Sequence, residues 1–369
     1  MIKYPDYENS ILSVTSSILK HYGAVPKHST LPLLDELLKT EPRNVILMLF
    51  DGMGTASIEE ILPKDSFVRN HLVSSISSVF PPTTVAATTS VQSGLAPIEH
   101  GWLGWYLYFK EVGDNVTVFR NTRQSDGKPA SEKRLADMYM PYTHICDIIS
   151  QAAPGVNAGI ISPHAGKRCY SAGSTCRFAL NEADKPGRNF MYCYWLNPDT
   201  DMHICGTASR KVRQDIKGIN RNLEKLSRRL DSDSLVIVIA DHGLINTEWF
   251  CFEDYPRLQA MMRKPPSIER RASSLFIRDG MQDEFRKEFE STFGEKFLLL
   301  SHEEVIEKKL FGEGTEHPRV EEFLGDFLAI STGKWSLNGQ RGDMDMKASH
   351  AGLTEEEMMV PLIVFRGAE

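Results

Sequence analysis

Asp51, Asp199 with His203, Asp241 with His242, and His350 stand at or near the polar ends of apolar runs. Carboxylates and imidazoles are the oxygen and nitrogen donors that hold zinc or manganese, and none of these positions needs a cysteine. Each has an ordinary reading when taken alone: an aspartate after a strand commonly caps a helix, and a single histidine is packed or solvated. Together they read differently, because carboxylates gathered at one edge repel each other unless cations neutralise them. A second candidate group lies in SVFPPTTVAATTSVQSG, residues 78–94, where two prolines directly precede Thr83 and Thr84. Threonine caps helices and proline suits the first turn, so the local reading is a strand ending and a helix beginning.

The runs that carry these residues define the fold class. NVILMLFDGMG is apolar over residues 45–50 and stops at Asp51 and a glycine-rich turn, as a buried parallel strand does when it delivers its end into a crevice. SLVIVIADHGL repeats the design over residues 235–240, FMYCYWLNPDTDMH reaches its polar end over residues 197–203, and VSSISSVF alternates like a strand before Pro81. Helical patterns fall between them, as in HICDIISQAA and over residues 209–230. The expected fold is α/β: a doubly wound, mostly parallel sheet with its site at the carboxyl edge. VPLIVF, residues 360–365, is the last strand candidate.

Two regions break the alternation. Residues 101 to about 141 are aromatic and turn-rich, and residues 252–347 carry strand and helix patterns of their own. The chain is therefore read as a core of residues 1–251 and 348–369, with residues 252–347 as a smaller inserted α/β subdomain or sheet extension near the site. NGQRGDMDMKASH reads as a mobile loop leading to His350.

With 369 residues, 41% hydrophobic and 25% charged, the chain has an ordinary globular composition. Its net charge of -7, from 42 basic and 49 acidic residues, gives no general reason to expect a nucleic-acid polymer or an anionic membrane as partner. The start lacks a basic segment followed by an apolar core, and no apolar run approaches the ~18 residues of a membrane span, so the expected location is cytoplasmic. The six cysteines form no CxxC pair and are expected to be reduced.

The ordered motifs FDGMG, FPPTTVAATTSVQSGLAPIEHG, NPDTDMH, ADHG and SHAGL resemble the alkaline phosphatase superfamily, in particular its type I phosphodiesterase and nucleotide pyrophosphatase branch. The resemblance implies an alkaline phosphatase-like fold and two divalent ions, zinc or manganese. It puts Asp199, His203 and His350 on one ion, and Asp51, Asp241, His242 and the Thr84 hydroxyl on the other. It implies Thr84 as nucleophile, through a phosphothreonine intermediate, and a small phosphoester substrate with nucleotides among the candidates. The chemistry agrees: coordination to a cation lowers the pKa of a threonine hydroxyl, and a helix start near Thr83 offers amides to a phosphate.

This chain departs from the family pattern at Ala87, where many members carry an asparagine that holds a phosphate oxygen. The Val85 amide, His164 or Lys167 are expected to take that role, and Trp105, within an aromatic stretch with Trp102, Tyr106 and Tyr108, is expected to face the leaving group. His100 is read as shaping its turn, and Cys205 as no ligand. A sulfatase that matures a cysteine is disfavoured by the lack of a CxPxR-type stretch, and a serine-dependent mutase by Thr84. A dinucleotide loop at DGMGTAS is disfavoured by Ser57, which stands where a third glycine belongs. The alternatives are a phosphomonoesterase or phosphonate hydrolase with the same centre, and a non-catalytic, metal-stabilised binding module.

Overall fold

The run at residues 45–50 becomes the strand Asn44–Phe50, all seven residues of which are buried, as expected for a strand covered on both faces. The computed structural model describes residues 1–339, 341 and 346–368. Around Asn44–Phe50 a seven-stranded sheet is ordered Leu72–Ser77, Met359–Arg366, Ser234–Ile239, Asn44–Phe50, Arg188–Trp195, Val156–Ser162, Lys167–Arg168. Asn44–Phe50 pairs in parallel with both neighbours, Arg188–Trp195 and Ser234–Ile239. The departure from parallel order is Met359–Arg366, which runs antiparallel to the strands on either side.

Helices cover both faces. Ile11–His21, Thr84–Ser93 and Ile145–Ala152 pack with one another, and Thr55–Ile61, Ala172–Ala183 and Arg210–Ser227 form the other layer. The expected helices at HICDIISQAA and residues 209–230 begin at real caps. The His144 ring accepts from the Cys146 N–H, and Ser209 Oγ accepts from the Val212 N–H.

The two regions that break the alternation in the sequence meet in one antiparallel sheet. Its order is Phe297–Ser301, Phe327–Ser331, Ala272–Leu275, Ser267–Ile268, Tyr106–Phe109, Asp114–Thr117, Thr122–Arg123. Residues 106–123 thus share a sheet with residues 267–331, through the pairing of Tyr106 with Ile268. A second core, with Phe252, Phe285, Phe289, Phe293 and Phe327, packs beneath this sheet. Of the NGQRGDMDMKASH loop, residues 340 and 342–345 lie outside the described residues, and its end forms the short strand Ala348–Ser349. No helix among the described residues is long and apolar enough to cross a membrane.

Candidate active site

Three adjacent parallel strands bring the acidic residues together at their carboxyl ends. Asp51 follows Asn44–Phe50, Asp199 follows Arg188–Trp195 by one turn, and Asp241 follows Ser234–Ile239. The turns are stitched by backbone bonds: Asp51 N–H donates to Trp195 O at 2.9 Å and Asp199 N–H to Asp51 O at 3.0 Å. Asp241 Oδ1 accepts from the N–H groups of Gly52 and His242, both at 3.0 Å. Gly52 has φ 71, and a Cβ there would stand 2.8 Å from Asp199 Cβ and 2.7 Å from Leu244 Cδ1. Only glycine allows this approach, so Gly52 sets the spacing of the carboxylates.

Two sets of donors result. Asp199, His203 and His350 form one, and Asp51, Asp241 and His242 the other, with the ligand atoms of each set all within 4.8 Å of one another. The three imidazoles are oriented alike. His203 Nδ1 donates to Ala348 O at 2.8 Å, His350 Nδ1 to Pro82 O at 3.1 Å, and His242 Nδ1 to Gly243 O at 3.1 Å. A carbonyl only accepts, so Nδ1 carries the proton and Nε2 of the neutral ring presents a lone pair inward. Those nitrogens face carboxylate oxygens: His203 Nε2 is 3.1 Å from Asp199 Oδ1, and His242 Nε2 is 3.4 Å from Asp51 Oδ1 and 3.7 Å from Asp241 Oδ2. Asp51 Oδ1, Asp199 Oδ1 and Asp241 Oδ2 are buried and have no hydrogen-bond donor among the described residues. Lone pairs aimed at unpartnered carboxylate oxygens are what bound cations would reconcile, so the residues fit two divalent ions.

The electrostatics agree. Burial, then the charges of Asp241 and Asp199, push the Asp51 carboxyl well above its ordinary range. Burial also raises Asp241. Asp199 moves the other way in the metal-free cluster: burial would raise it, but His203, whose own proton affinity Asp199 raises against the effect of burial, together with His350 and His242 outweighs that and holds it low. Burial and the neighbouring His242 depress His350. A cluster whose members shift this strongly in opposite directions has the signature of a functional centre.

Thr84 stands beside this cluster as the first residue of the helix Thr84–Ser93. Its Oγ1 donates to Asp51 Oδ2 at 3.5 Å and lies 3.2 Å from His242 Nε2. Ala87 N–H makes a helical bond, to Thr83 O, so the Val85 and Ala86 amides belong to the first turn, which lacks intrahelical acceptors. Two residues at the site escape the sequence reading. Tyr194, on the strand before Asp199, donates its hydroxyl to Asp51 Oδ2. Glu269, beside the second sheet's short strand Ser267–Ile268, accepts from the Thr83 hydroxyl at 2.6 Å and the Trp105 N–H at 2.8 Å. An aromatic at a buried strand end reads as core, and nothing local marks Glu269, so neither gives a sequence signal.

The other sequence-selected residues are distributed as follows. Val85 is fully buried in the first helical turn and Ala87 is buried just behind it. Trp105 reaches the site through its backbone N–H, while its ring packs edge-on to Phe119 at 6.1 Å and under Arg120. Trp102 is core, with Nε1 donating to Met140 O at 2.7 Å. Tyr108 lies under the Lys264 ammonium. His164 is exposed in the loop before the outermost strand, and Lys167 on that strand is paired with Glu182 at 3.0 Å. Neither is among the residues gathered around Thr84. His100 accepts from the Trp102 N–H within its own turn and bonds Ser90 on the helix Thr84–Ser93, and Cys205 joins neither donor set.

A doubly wound α/β fold whose strand ends gather two aspartate–histidine donor sets beside a threonine at a helix start defines an alkaline phosphatase-like architecture. Residues 45–353 match the type I phosphodiesterase/nucleotide pyrophosphatase family, and the chain belongs to that family of phosphoester hydrolases. No curated protein sequence matches it. Among solved structures it is similar to mouse ectonucleotide pyrophosphatase/phosphodiesterase 5 in an inactive threonine-to-alanine form in complex with AMP. That match has 15% identity and a TM-score of 0.64, and covers 88% of each chain. It is also similar to phosphonoacetate hydrolase from Sinorhizobium meliloti in complex with phosphonoacetate, at 16% identity and TM-score 0.63, covering 88% of this chain and 91% of that one.

Proposed function

We propose that the protein hydrolyses phosphoric esters, as a phosphodiesterase or nucleotide pyrophosphatase, with two divalent ions and Thr84 as nucleophile. The observation that carries this is the Thr84 hydroxyl, 3.2 Å from His242 Nε2 and donating to Asp51 Oδ2, beside three buried carboxylate oxygens without donors among the described residues. Asp199, His203 and His350 would hold one ion, and Asp51, Asp241, His242 and the Thr84 hydroxyl the other. Such ions, zinc or manganese, supply charge neutralisation for the phosphoryl oxygens and lower the pKa of a hydroxyl.

The chain's own residues do the rest. The Thr84 hydroxyl directs its proton toward Asp51 Oδ2, and its oxygen forms a bond to phosphorus as the bond to the leaving oxygen breaks. Water then opens the phosphothreonine and restores the hydroxyl. Tyr194 fixes Asp51, and the Val85 and Ala86 amides at the helix start receive phosphoryl oxygens. The AMP complex of the mouse enzyme supports a nucleotide-type substrate, and its inactive form, lacking a threonine, supports a threonine nucleophile. A second reading, a phosphonate hydrolase with the same centre, is favoured by the likeness to phosphonoacetate hydrolase. Under either reading the proposed substrate is a small molecule.

The test is a panel of aryl diesters, dinucleotides, monoesters and phosphonoacetate on metal-loaded protein, with Thr84→Ala as control. Turnover lost by several orders of magnitude in Thr84→Ala, lost on chelation and regained with zinc or manganese, is the expected result. Full activity in a rigorously chelated protein, or in Thr84→Ala, would refute it.

A further inference from the structure

We infer that Glu269, from the second sheet, keeps the start of the Thr84 helix open for phosphate by holding the Thr83 hydroxyl away from it. Thr83 is the N-cap of the ten-residue helix Thr84–Ser93, with extended backbone at φ -137 and ψ 148. From that conformation a threonine oxygen ordinarily accepts from an amide of its own first turn. Ser10, Ser171, Ser209 and Ser301 do so on their helices. Thr83 makes no such bond; its hydroxyl donates to Glu269 Oε1 at 2.6 Å.

Thr83 is fully buried, so its hydroxyl cannot turn to bulk water, and the orientation in which it reaches Glu269 leaves its oxygen without a bond to the amides of its own first turn. With Glu269 as its partner, the Val85 and Ala86 amides stay uncapped. The same glutamate oxygen accepts the Trp105 N–H at 2.8 Å, which fixes it from a second direction. That these amides face a ligand follows from an independent feature beside Thr84: the donor-less oxygens of Asp51 and Asp241, the latter wholly buried. The arrangement also explains how the chain manages with Ala87 where an asparagine would donate to phosphate. The uncapped amides take that role, and Glu269 is the positioning residue that keeps them free.

The inference rests on the proposed phosphoester chemistry, and the test separates the two. Inorganic phosphate binding to the metal-loaded protein is measured by calorimetry, and KM and kcat with an aryl phosphodiester, for wild type, Glu269→Ala, Glu269→Gln, Thr83→Ala and the double variant Glu269→Ala/Thr83→Ala. Glu269→Ala releases the Thr83 hydroxyl to cap its own helix, so phosphate binding should weaken about fivefold, the worth of one capping bond. Glu269→Gln keeps an accepting oxygen and sheds the carboxylate's charge, so it should bind phosphate at least as tightly as wild type. The double variant removes the competing hydroxyl and should regain the phosphate binding lost in Glu269→Ala, whereas damage to packing alone would add.

A double variant no better than Glu269→Ala, or Glu269→Gln as weak as Glu269→Ala, overturns the inference while leaving the hydrolase reading intact if wild type turns over esters. Wild-type protein that neither binds phosphate nor turns over any ester overturns the reading beneath it. Thermal melting confirms that each variant is folded, and Glu269→Met carries the same expectation if the alanine variant is not.

Discussion

Arg271 and Glu357 form a two-pronged ion pair in which neither side chain is exposed, with Nε to Oε1 and Nη2 to Oε2 both at 2.7 Å. The pair joins the second sheet to the segment that carries His350. Glu357 also accepts from the Gly352 N–H at 2.8 Å and the Thr354 hydroxyl at 2.7 Å, and its carbonyl accepts from Gly243, next to His242. Two histidine-bearing loops are thus tied to one glutamate. Removing one partner leaves a buried charge uncompensated, so Arg271→Leu should lower stability by about 3–5 kcal/mol in denaturant unfolding. Arg271→Leu/Glu357→Leu should recover part of that loss. A double variant less stable than the single would show that the lost hydrogen bonds, not the stranded charge, dominate.

Tyr194→Phe removes the hydroxyl that donates to Asp51 Oδ2 and keeps the ring packing. Partners that orient a ligand typically matter about 10–100-fold in affinity or activity, so the variant should bind zinc more weakly by about that factor. The test is competition with a chromophoric chelator. Melting of the metal-free variant should be near that of metal-free wild type, which separates loss of ligand orientation from loss of packing. Unchanged zinc affinity would count against the role given to Tyr194.

The donor residues are legible in the sequence because aspartate and histidine punctuate apolar runs whose strands then lie side by side. Asp51, Asp199 and Asp241 meet because Asn44–Phe50 pairs in register with both Arg188–Trp195 and Ser234–Ile239. Tyr194 is hidden because an aromatic on a buried strand is ordinary core until its neighbours are known. Glu269 is hidden by distance, lying 186 positions from Thr83. The second sheet is half legible for the same reason. Residues 252–347 announce elements of their own, but the pairing of Tyr106 with Ile268 is long-range and leaves no local mark. The antiparallel direction of Met359–Arg366 is likewise silent, since an apolar run has no preferred partner orientation.

His144 should make the protein acid-sensitive. Its half-buried ring caps the helix Ile145–Ala152 by accepting from the Cys146 N–H at 3.1 Å, and desolvation pushes its pKa down from 6.5 to about 4. A base depressed in the folded state binds fewer protons there than when unfolded, so its contribution is whole above pH 6.5 and lost as pH falls toward 4. Between pH 7 and 5 the loss should reach about 2 kcal/mol. His144→Asn keeps a capping acceptor without the titration, so its stability should fall less over that interval. His100, pushed down to about 3 chiefly by burial, supplies a remaining slope. Equal pH slopes for wild type and His144→Asn would remove His144 from the account.

The preference among esters should follow the charge around Thr84. The cluster consists of three carboxylates and three imidazoles, and Glu269 sets a fourth carboxylate against the neighbouring Thr83. Two divalent ions offset that negative charge without leaving much to spare. A monoester dianion brings more negative charge than a diester monoanion into the same surroundings, and the uncapped Val85 and Ala86 amides are neutral dipoles rather than cations. An aryl phosphodiester should therefore be hydrolysed with a kcat/KM about tenfold or more above the monoester with the same leaving group, a difference of ~1.4 kcal/mol in transition-state stabilisation. Replacing Glu269 by Gln removes one negative charge but keeps its hydrogen bonds, so the ratio should narrow through faster monoester turnover. Steady-state kinetics on matched pairs decide it: a monoester preference in wild type would move the assignment to a phosphomonoesterase, and an unchanged ratio in Glu269→Gln would show that Glu269 acts through geometry alone.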